Sequence, residues 1–509
     1  MFRPVSLMAA ALLAASTPAF ADWQQAKSHH FIIYADAPTD LLQKYAAKLE
    51  RFDQAVRKLR GMRDPALKDA GKVTIYVIGD WATIENLIGV SGAAGLYIGR
   101  ASGAVAFVPE ISTKRTEPGD LDSQTIFFHE YTHHLQLEST TAALPPWLVE
   151  GTAEFFSTAD IRDDGSVAVG APANHRAFGL YLLAPIPIEK LVGDTFTNLN
   201  DYSRETLYDR GWLLTHYLNF EPSRHGQLDR YVQLIQQGHA PLDSARTAFG
   251  DLKELDRDAE KYLKRKRLTQ VIVPASELDV GPIAIRPLRP GEAAVMPIRI
   301  RSDRGVATRT APSVAAEARK IATRYPNDVA VQTALSEAEF DADNYDAAEA
   351  AADRALAIDS NSRNGLIYKG LARMERTKKS SGKADWATIR RAFVSANRLD
   401  PDDPEPLMHY FETFVAAGET PPESAVKGLI YAAQLMPQDR KLRLMATREL
   451  LELGNVPMAK QMFATIAFNA HTSPKLREKN RQVMNEILAG NATGALALLK
   501  NKEDDSNDD

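Results

Sequence analysis

The chain has no cysteine among its 509 residues, which excludes disulfide bonds and lipid attachment through a cysteine. Beyond its first residues it has no apolar run long enough to cross a bilayer, so no stable membrane anchor is expected. Neither sign of charge dominates: 61 basic and 66 acidic side chains give a formal charge of −5, and nothing favours a nucleic-acid partner. The 44% of hydrophobic residues is ordinary for globular proteins, and the length suits two or three domains.

The N-terminal residues have the pattern of a secretory signal peptide. Arg3 precedes an apolar run at residues 5–15, and residues 19–21 (Ala-Phe-Ala) form a small-x-small cleavage site. The run is too short for a transmembrane anchor. We therefore expect residues 1–21 to be removed, the mature chain to begin at Asp22, and the protein to be periplasmic or secreted.

The most informative stretch contains two histidines four residues apart. In His129-Glu130-x-x-His133, a helix would place both imidazoles on one face, where they can bind one metal ion. Glu130 would be rotated away from that face and could accept a proton from a metal-bound water. Glu150 is a candidate third ligand, because the sixteen intervening residues allow a second helix to return past the first. Two imidazoles and one carboxylate suit a catalytic zinc ion, although a buried helix with hydrogen-bonded histidines is the alternative.

A family resemblance enters with the second segment, residues 147–154 (Trp-Leu-Val-Glu-Gly-Thr-Ala-Glu). Together with the histidine motif it resembles the gluzincin, or peptidase-MA-like, zinc metallopeptidases over about residues 31–263. The resemblance implies an α+β, thermolysin-like zincin domain that hydrolyses peptide bonds. It also implies roles for four residues: zinc ligands His129, His133 and Glu150, and general base Glu130.

Two related branches do not fit the sequence. A metzincin would need glycine at position 136 and histidine at 139, where this chain has Gln136 and Ser139. The Gly-x-Met-Glu-Asn motif of the gluzincin aminopeptidases has no match either. The resemblance therefore indicates neither a metzincin nor amino-terminal trimming.

Further site residues are expected from the same region. Glu154 lies one helical turn beyond Glu150 and could accept a hydrogen bond from a ligand histidine, the alternative being a surface acid. The pattern after residue 200 is similar to the helical subdomain that closes over the zinc in this family. That similarity makes Tyr208 the candidate for stabilising the oxyanion, followed by Tyr202 and His216, with aromatic core packing as the alternative for each.

Hydrophobic periodicity predicts the elements around the motif. The stretch at 103–108 is rich in small residues and is interpreted either as the edge strand that binds substrate in this family or as a plain hairpin. His29 and His30 adjoin the first strand, where neighbours face opposite ways, so they are a poor pair for binding one metal ion and are expected as surface residues. Strands are predicted at 31–35 and 73–78, a hairpin at 161–169, and helices at 41–59, 81–88, 202–218, 231–237 and 251–267.

The C-terminal half is Ala-rich and repetitive. Similar segments begin at Ala355, Ala396 and Ala433, with a period near 34 residues once insertions are allowed for, as in tetratricopeptide repeats. An all-α solenoid of this kind could hold a peptide or protein partner, or serve only as a spacer. The predicted division is a peptidase domain at 22–268, a β-containing linker at 269–306, repeats at 307–475, a terminal helix at 476–499 and a disordered acidic tail at 500–509.

The sequence thus predicts an exported zinc metallopeptidase with a C-terminal repeat array. Two other functions stay open. One is a binding or scaffold protein whose metal only stabilises the fold. The other is a metal-dependent hydrolase that acts on a bond other than a peptide.

Overall fold

The computed structural model describes residues 23–89, 95–111, 123–139, 143–193, 201–379, 385–467 and 474–500. The predicted signal peptide and residues 501–509 of the predicted tail lie outside these ranges. Within them the chain is mixed α/β: both sheets lie in the N-terminal part, and from Pro290 onward the regular structure is helical.

The larger sheet has six strands in the order β4-β5-β3-β2-β1-β9. The central strands β2, β3 and β5 are parallel, whereas β1, β4 and β9 pair antiparallel with their neighbours. A smaller sheet joins β6, β7 and β8 in that order. The strands are β1 (Trp23–Lys27), β2 (Phe31–Asp36), β3 (Val73–Val77), β4 (Leu96–Ile98), β5 (Val105–Val108), β6 (Asp160–Ile161), β7 (Val167–Val169), β8 (Val271–Val273) and β9 (Ala284–Pro287).

Helices cover both faces of the large sheet. Side chains alternate along each strand, so that apolar residues project from both faces and pack against helices. On one face Phe31 contacts Phe127 and Tyr131 of helix α3 (Ser123–Ser139), and α1 (Thr39–Arg60) packs beside it. On the other face the stacked rings of Tyr34, Tyr76 and Phe107 pack against α2 (Trp81–Ile88) and α11 (Pro290–Arg304). The helix that carries the histidine motif is therefore fixed to the sheet by aromatic packing.

A helical group follows the motif. Pro145 and Pro146 begin α4 (Pro146–Ser157), as expected for proline at a helix start. Helix α4 packs against both α3 and α7 (Asp201–Phe220). The remaining helices of this group are α5 (Ala177–Leu182), α6 (Ile188–Gly193), α8 (Gln227–Gln236), α9 (Pro241–Phe249) and α10 (Leu252–Leu263).

The C-terminal region is a succession of helices in which each contacts the next along the chain. Several also contact the next but one, including α13 with α15 and α15 with α17, as in a stacked array. No described helix has both the length and the apolar character required to span a bilayer. The helices are α12 (Ala311–Arg324), α13 (Val329–Asp341), α14 (Tyr345–Ile358), α15 (Arg363–Lys379), α16 (Trp386–Leu399), α17 (Pro404–Ala416), α18 (Glu423–Leu435), α19 (Arg440–Glu452), α20 (Val456–Ala467), α21 (Pro474–Leu488) and α22 (Ala492–Lys500).

Two boundaries differ from the predicted division. Residues 269–306 are more than a linker between the N-terminal domain and the helical region. Strand β8 belongs to the smaller sheet, β9 belongs to the larger sheet, and α11 packs on the larger sheet. Helix α11 was not predicted, because its Val, Ile and Pro residues favour short strands and because Pro297 lies inside the helix. The expected terminal helix at 476–499 is two helices, α21 and α22, separated by Gly490 with a φ of 73°.

Two local predictions are met only in part. The segment 103–108 is not the edge strand but part of a hairpin, which was the alternative interpretation: β5 pairs with β3 on one side and antiparallel with β4 on the other, so that β4 is the outermost of the described strands. His29 and His30 lie in the bend between β1 and β2, where strand alternation does not apply: the side chain of His29 is 40% exposed, as expected, but His30 is only 1% exposed.

Candidate metal centre

Three predicted ligands converge where α3 and α4 cross. The Nε2 atoms of His129 and His133 lie 3.0 Å apart. Oε2 of Glu150 is 3.3 Å from each of them. A tetrahedral zinc ion with bonds of about 2.0–2.2 Å holds its ligand atoms roughly 3.3–3.6 Å apart. The three donors are therefore spaced closely enough to share one ion, and the donor set fits zinc.

Each imidazole is oriented through its other ring nitrogen. Nδ1 of His129 lies 3.2 Å from Oε1 of Glu154, and Nδ1 of His133 lies 3.0 Å from Oε1 of Gln136. Because an oxygen accepts a hydrogen bond from each Nδ1–H, both Nε2 atoms are left to face Glu150. Gln136 also donates from Nε2 to the carbonyl oxygen of Val149, which ties α3 to the start of α4.

Glu154 occupies the expected position behind a ligand, and two further residues hold it there. Its carboxylate pairs with Nε2 of His175 at 2.9 Å and with the guanidinium of Arg176 at 2.5 Å. Burial alone would raise the pKa of Glu154, but hydrogen bonds from His129 and His175 and the charge of Arg176 hold it well below its usual value. Glu154 is thus an ionised carboxylate at 2% exposure, available to orient His129.

His175 and Arg176 were not found by reading the sequence. They lie in a short turn before α5, with no motif spacing that relates them to the histidines. The available signal was Glu154 itself, because a buried carboxylate requires partners. Arg176 also lies 3.9 Å from the carboxylate of Asp209 and stacks over the ring of Tyr208 at 4.9 Å, so it joins α4 to α7.

The charge balance favours a cation between the donors. Burial alone would lower the pKa of His129, but hydrogen bonds to Glu150 and Glu154 raise it to about 10. The carboxylates of Glu150 and Glu154 therefore stabilise a positive charge at the imidazole of His129. A bound divalent ion would supply that charge in place of a proton.

Glu130, the residue after His129, interacts electrostatically with two tyrosines, Tyr97 and Tyr208. Glu130 is half-buried, and its negative charge contributes to raising the pKa of Tyr97 and of Tyr208, in both cases after the larger effect of burial. Both tyrosines therefore keep their protons at neutral pH. Tyr97 also bonds to Nδ1 of His134 at 2.6 Å, which places the edge strand β4 against the motif helix.

Of the three candidates for the oxyanion, Tyr208 is the one that the structure places beside the ligands. Its ring centroid is 5.9 Å from that of His129. His216 is engaged elsewhere, because its ring nitrogens bond to the carbonyl oxygen of Gly170 and the hydroxyl of Tyr262. The side chain of Tyr202 lies outside the described residues.

Comparison with models of known protein families finds no match, and comparison with curated proteins finds none with significant similarity.

Proposed function

We propose that the chain is a zinc-dependent metallopeptidase with a thermolysin-like catalytic domain. The observation that carries this proposal is the convergence of His129, His133 and Glu150, whose donor atoms lie 3.0–3.3 Å apart. A site built only for stability would have four protein ligands, whereas three ligands with an acid beside them suit catalysis. Glu130 is that acid.

The proposed roles follow from chemistry and position. Zinc, when bound, lowers the pKa of its water and polarises the scissile carbonyl group. Glu130 accepts the proton of the attacking water and returns it to the leaving amine. Tyr208 keeps its phenolic proton and can donate a hydrogen bond to the oxyanion. Glu154 and Gln136 keep both histidines in the tautomer that leaves Nε2 free for the ion.

The substrate is proposed to be an extended peptide or protein segment. Strand β4 is at the end of the sheet, and the hydroxyl of its Tyr97 bonds to His134, the residue after a ligand. An edge strand offers backbone groups with which an extended peptide can pair. The substrate-binding edge is therefore assigned to β4, in place of the 103–108 segment that the sequence suggested.

The helices from α12 onward are proposed to be tetratricopeptide repeats that hold a partner or present a substrate. Their support is the near 34-residue spacing of the segments at Ala355, Ala396 and Ala433, together with the contacts between each helix and the next. The proposed location is the periplasm or the exterior of the cell, on the basis of the signal-peptide pattern at 1–21.

The proposal is tested by separating metal binding from turnover. In the mature chain, Glu130→Gln should keep zinc and lose peptide hydrolysis, whereas His133→Ala should lose the metal. Glu254→Gln makes the same chemical change on an exposed part of α10 and should alter neither. Zinc content and cleavage of a mixed peptide library are measured on all three variants.

The same variants distinguish the two other functions. A scaffold with a structural metal would show no hydrolysis in the wild type and unchanged partner binding in Glu130→Gln. A hydrolase of another bond would cleave ester or glycan substrates in a Glu130-dependent manner and leave peptides intact. Either result would replace the peptidase proposal.

A further inference from the structure

A second group of donor atoms lies far from the first along the sequence, in the bend between β1 and β2. Nε2 of His29 is 3.1 Å, and Nε2 of His30 is 3.0 Å, from the same Oδ1 atom of Asp64. We propose that His29, His30 and Asp64 form a second divalent-cation site, with the mixed nitrogen and oxygen ligands that zinc accepts. It is independent of the proposed peptidase centre.

The spacing of the donors supports one shared ion. The two nitrogen–oxygen separations are close to the roughly 3.3 Å between ligands of a tetrahedral zinc ion. The carbonyl oxygen of Pro65 lies 3.0 Å from Nε2 of His29 and adds an oxygen at the same place. Gln54 donates to Oδ2 of Asp64 at 2.6 Å, which leaves Oδ1 facing the histidines.

The buried histidine is oriented as a metal ligand is. Nδ1 of His30 lies 2.7 Å from Oε2 of Glu50, and the backbone N–H of His30 donates to the other oxygen of Glu50 at 2.8 Å. A carboxylate on Nδ1 fixes the tautomer that presents Nε2 to an ion. The same arrangement holds His129 through Glu154, so the two groups share one pattern.

Charge around the bend also favours a cation. Three carboxylates face His30, those of Glu50, Asp53 and Asp64, and the first two are fully buried. Arg57 offsets this charge only in part, because it is shared between Asp53 and Glu138. A divalent ion would offset the rest, and it can enter from solvent, since His29 and Asp64 are 40% and 43% exposed.

The site would join three parts of the domain. It would fix the β1–β2 bend to the loop that follows α1, while Asp53 on α1 accepts a hydrogen bond from Tyr131 at 2.8 Å. Tyr131 belongs to α3, two residues beyond His129. An ion at the bend would therefore stabilise the support on which the motif helix lies.

Counting metal ions tests the proposal. The chelator-stripped mature chain is dialysed against micromolar Zn²⁺, and bound zinc is measured by mass spectrometry. We expect about two ions per chain in the wild type, one in His29→Ala, one in His133→Ala and none in the double variant. His225→Ala removes an exposed histidine elsewhere and should still bind two.

A thermal measurement gives an independent result without any catalytic readout. In the His133→Ala chain, zinc should raise the unfolding temperature, and adding His29→Ala should abolish that rise. The proposal is overturned if His133→Ala binds no zinc, if the double variant retains an ion, or if binding needs millimolar zinc, which would indicate an adventitious ion only. Circular dichroism verifies that each variant is folded.

Discussion

At the scale of single residues, the centre depends on which nitrogen of each imidazole faces Glu150. Glu154 and Gln136 determine this orientation, because they accept hydrogen bonds from Nδ1 of His129 and of His133, respectively. Arg176 and His175 in turn keep Glu154 ionised although it is buried. The geometry of the donors is thus set by residues that would not touch the metal themselves.

Replacing Tyr208 by phenylalanine tests the proposed oxyanion donor. Because the hydroxyl would act mainly on charge that develops in the transition state, we expect kcat to fall by about 10²–10³-fold with little change in KM. Steady-state kinetics on a peptide substrate measures both constants. Tyr181→Phe is the matched control: Tyr181 on α5 is 60% exposed, and its hydroxyl makes only a long hydrogen bond of 3.4 Å to the carbonyl oxygen of Leu263. Wild-type kcat in Tyr208→Phe would rule out the role.

At the scale of elements, two glycines bring α4 and α7 into close contact. A Cβ atom on Gly211 would lie 2.6 Å from the carbonyl oxygen of Trp147, and one on Gly151 would lie 2.3 Å from that of Gly211. These are backbone atoms, which cannot rotate aside. The close approach brings Tyr208 on α7 near Glu150 on α4.

Gly211→Ala should therefore separate the two helices. We expect a loss of about 1–3 kcal/mol in the free energy of unfolding, together with reduced turnover, because Tyr208 moves away from the ligands. Gly428→Ala on α18 is the control, since its Cβ would meet only Leu407 at 3.5 Å and should leave stability unchanged or slightly higher. Denaturant unfolding and kcat are measured, and equal stability of the two variants would contradict the close-contact argument.

Helix α17 contains a largely buried imidazole, that of His409 at 12% exposure, that makes this part of the helical array sensitive to pH. Burial alone would lower the pKa of His409, but interactions with Glu405 and Glu412 raise it to about 9, and the pKa values of both glutamates fall to about 2. The stability from His409 is fully present below the unfolded-state pKa of about 6.5 and is lost as the pH rises through 9. The stability from the glutamates is present above about 4.5 and is lost as the pH falls through 2.

Thermal unfolding should therefore show a stability plateau between about pH 4.5 and 6.5, with a decline toward pH 9.5. His409→Gln should remove the part of the alkaline decline that His409 contributes, while lowering stability at pH 6. Calorimetry from pH 5 to 10 on both chains is the measurement. An alkaline decline of the same size in the variant would show that other groups cause it.

At the scale of the whole molecule, the helical array contacts the part of the chain that holds the candidate metal centre. The side chain of Gln438 donates to the carbonyl oxygen of His134 at 3.0 Å, and Asp439 accepts from the backbone N–H of Ala101 at 2.7 Å. Both contacts reach the β4–β5 hairpin and the motif helix. The array is thus connected to the neighbourhood of the candidate metal centre.

Gly99→Ala should weaken this contact, because its Cβ would lie 2.3 Å from Cβ of Gln438. We expect a larger radius of gyration by solution scattering and two calorimetric transitions where the wild type has one. Lys68→Ala is the control: it removes an ion pair with Asp400 at the same junction, but Lys68 is 55% exposed and the pair should contribute little. An unchanged radius of gyration in Gly99→Ala would show that the contact does not hold the two parts together.

The sequence alone determined features that depend on local spacing. Four residues separate His129 from His133, and helical geometry places them on one face whatever surrounds them. The predicted helices at 41–59 and 202–218 are found as α1 and α7 for the same reason, since their apolar periodicity is local. The convergence of Glu150 on the two histidines was also predicted, from the sixteen-residue gap after His133 and from the resemblance.

Only the tertiary structure decided which distant residues meet. It brought His175 and Arg176 to Glu154, placed Asp64 between His29 and His30, and made β4 the sheet edge in place of β5. It also assigned the 269–306 segment to the sheets and to α11. These contacts join positions separated by loops whose paths depend on packing of the whole chain, so no periodicity within a single segment could reveal them.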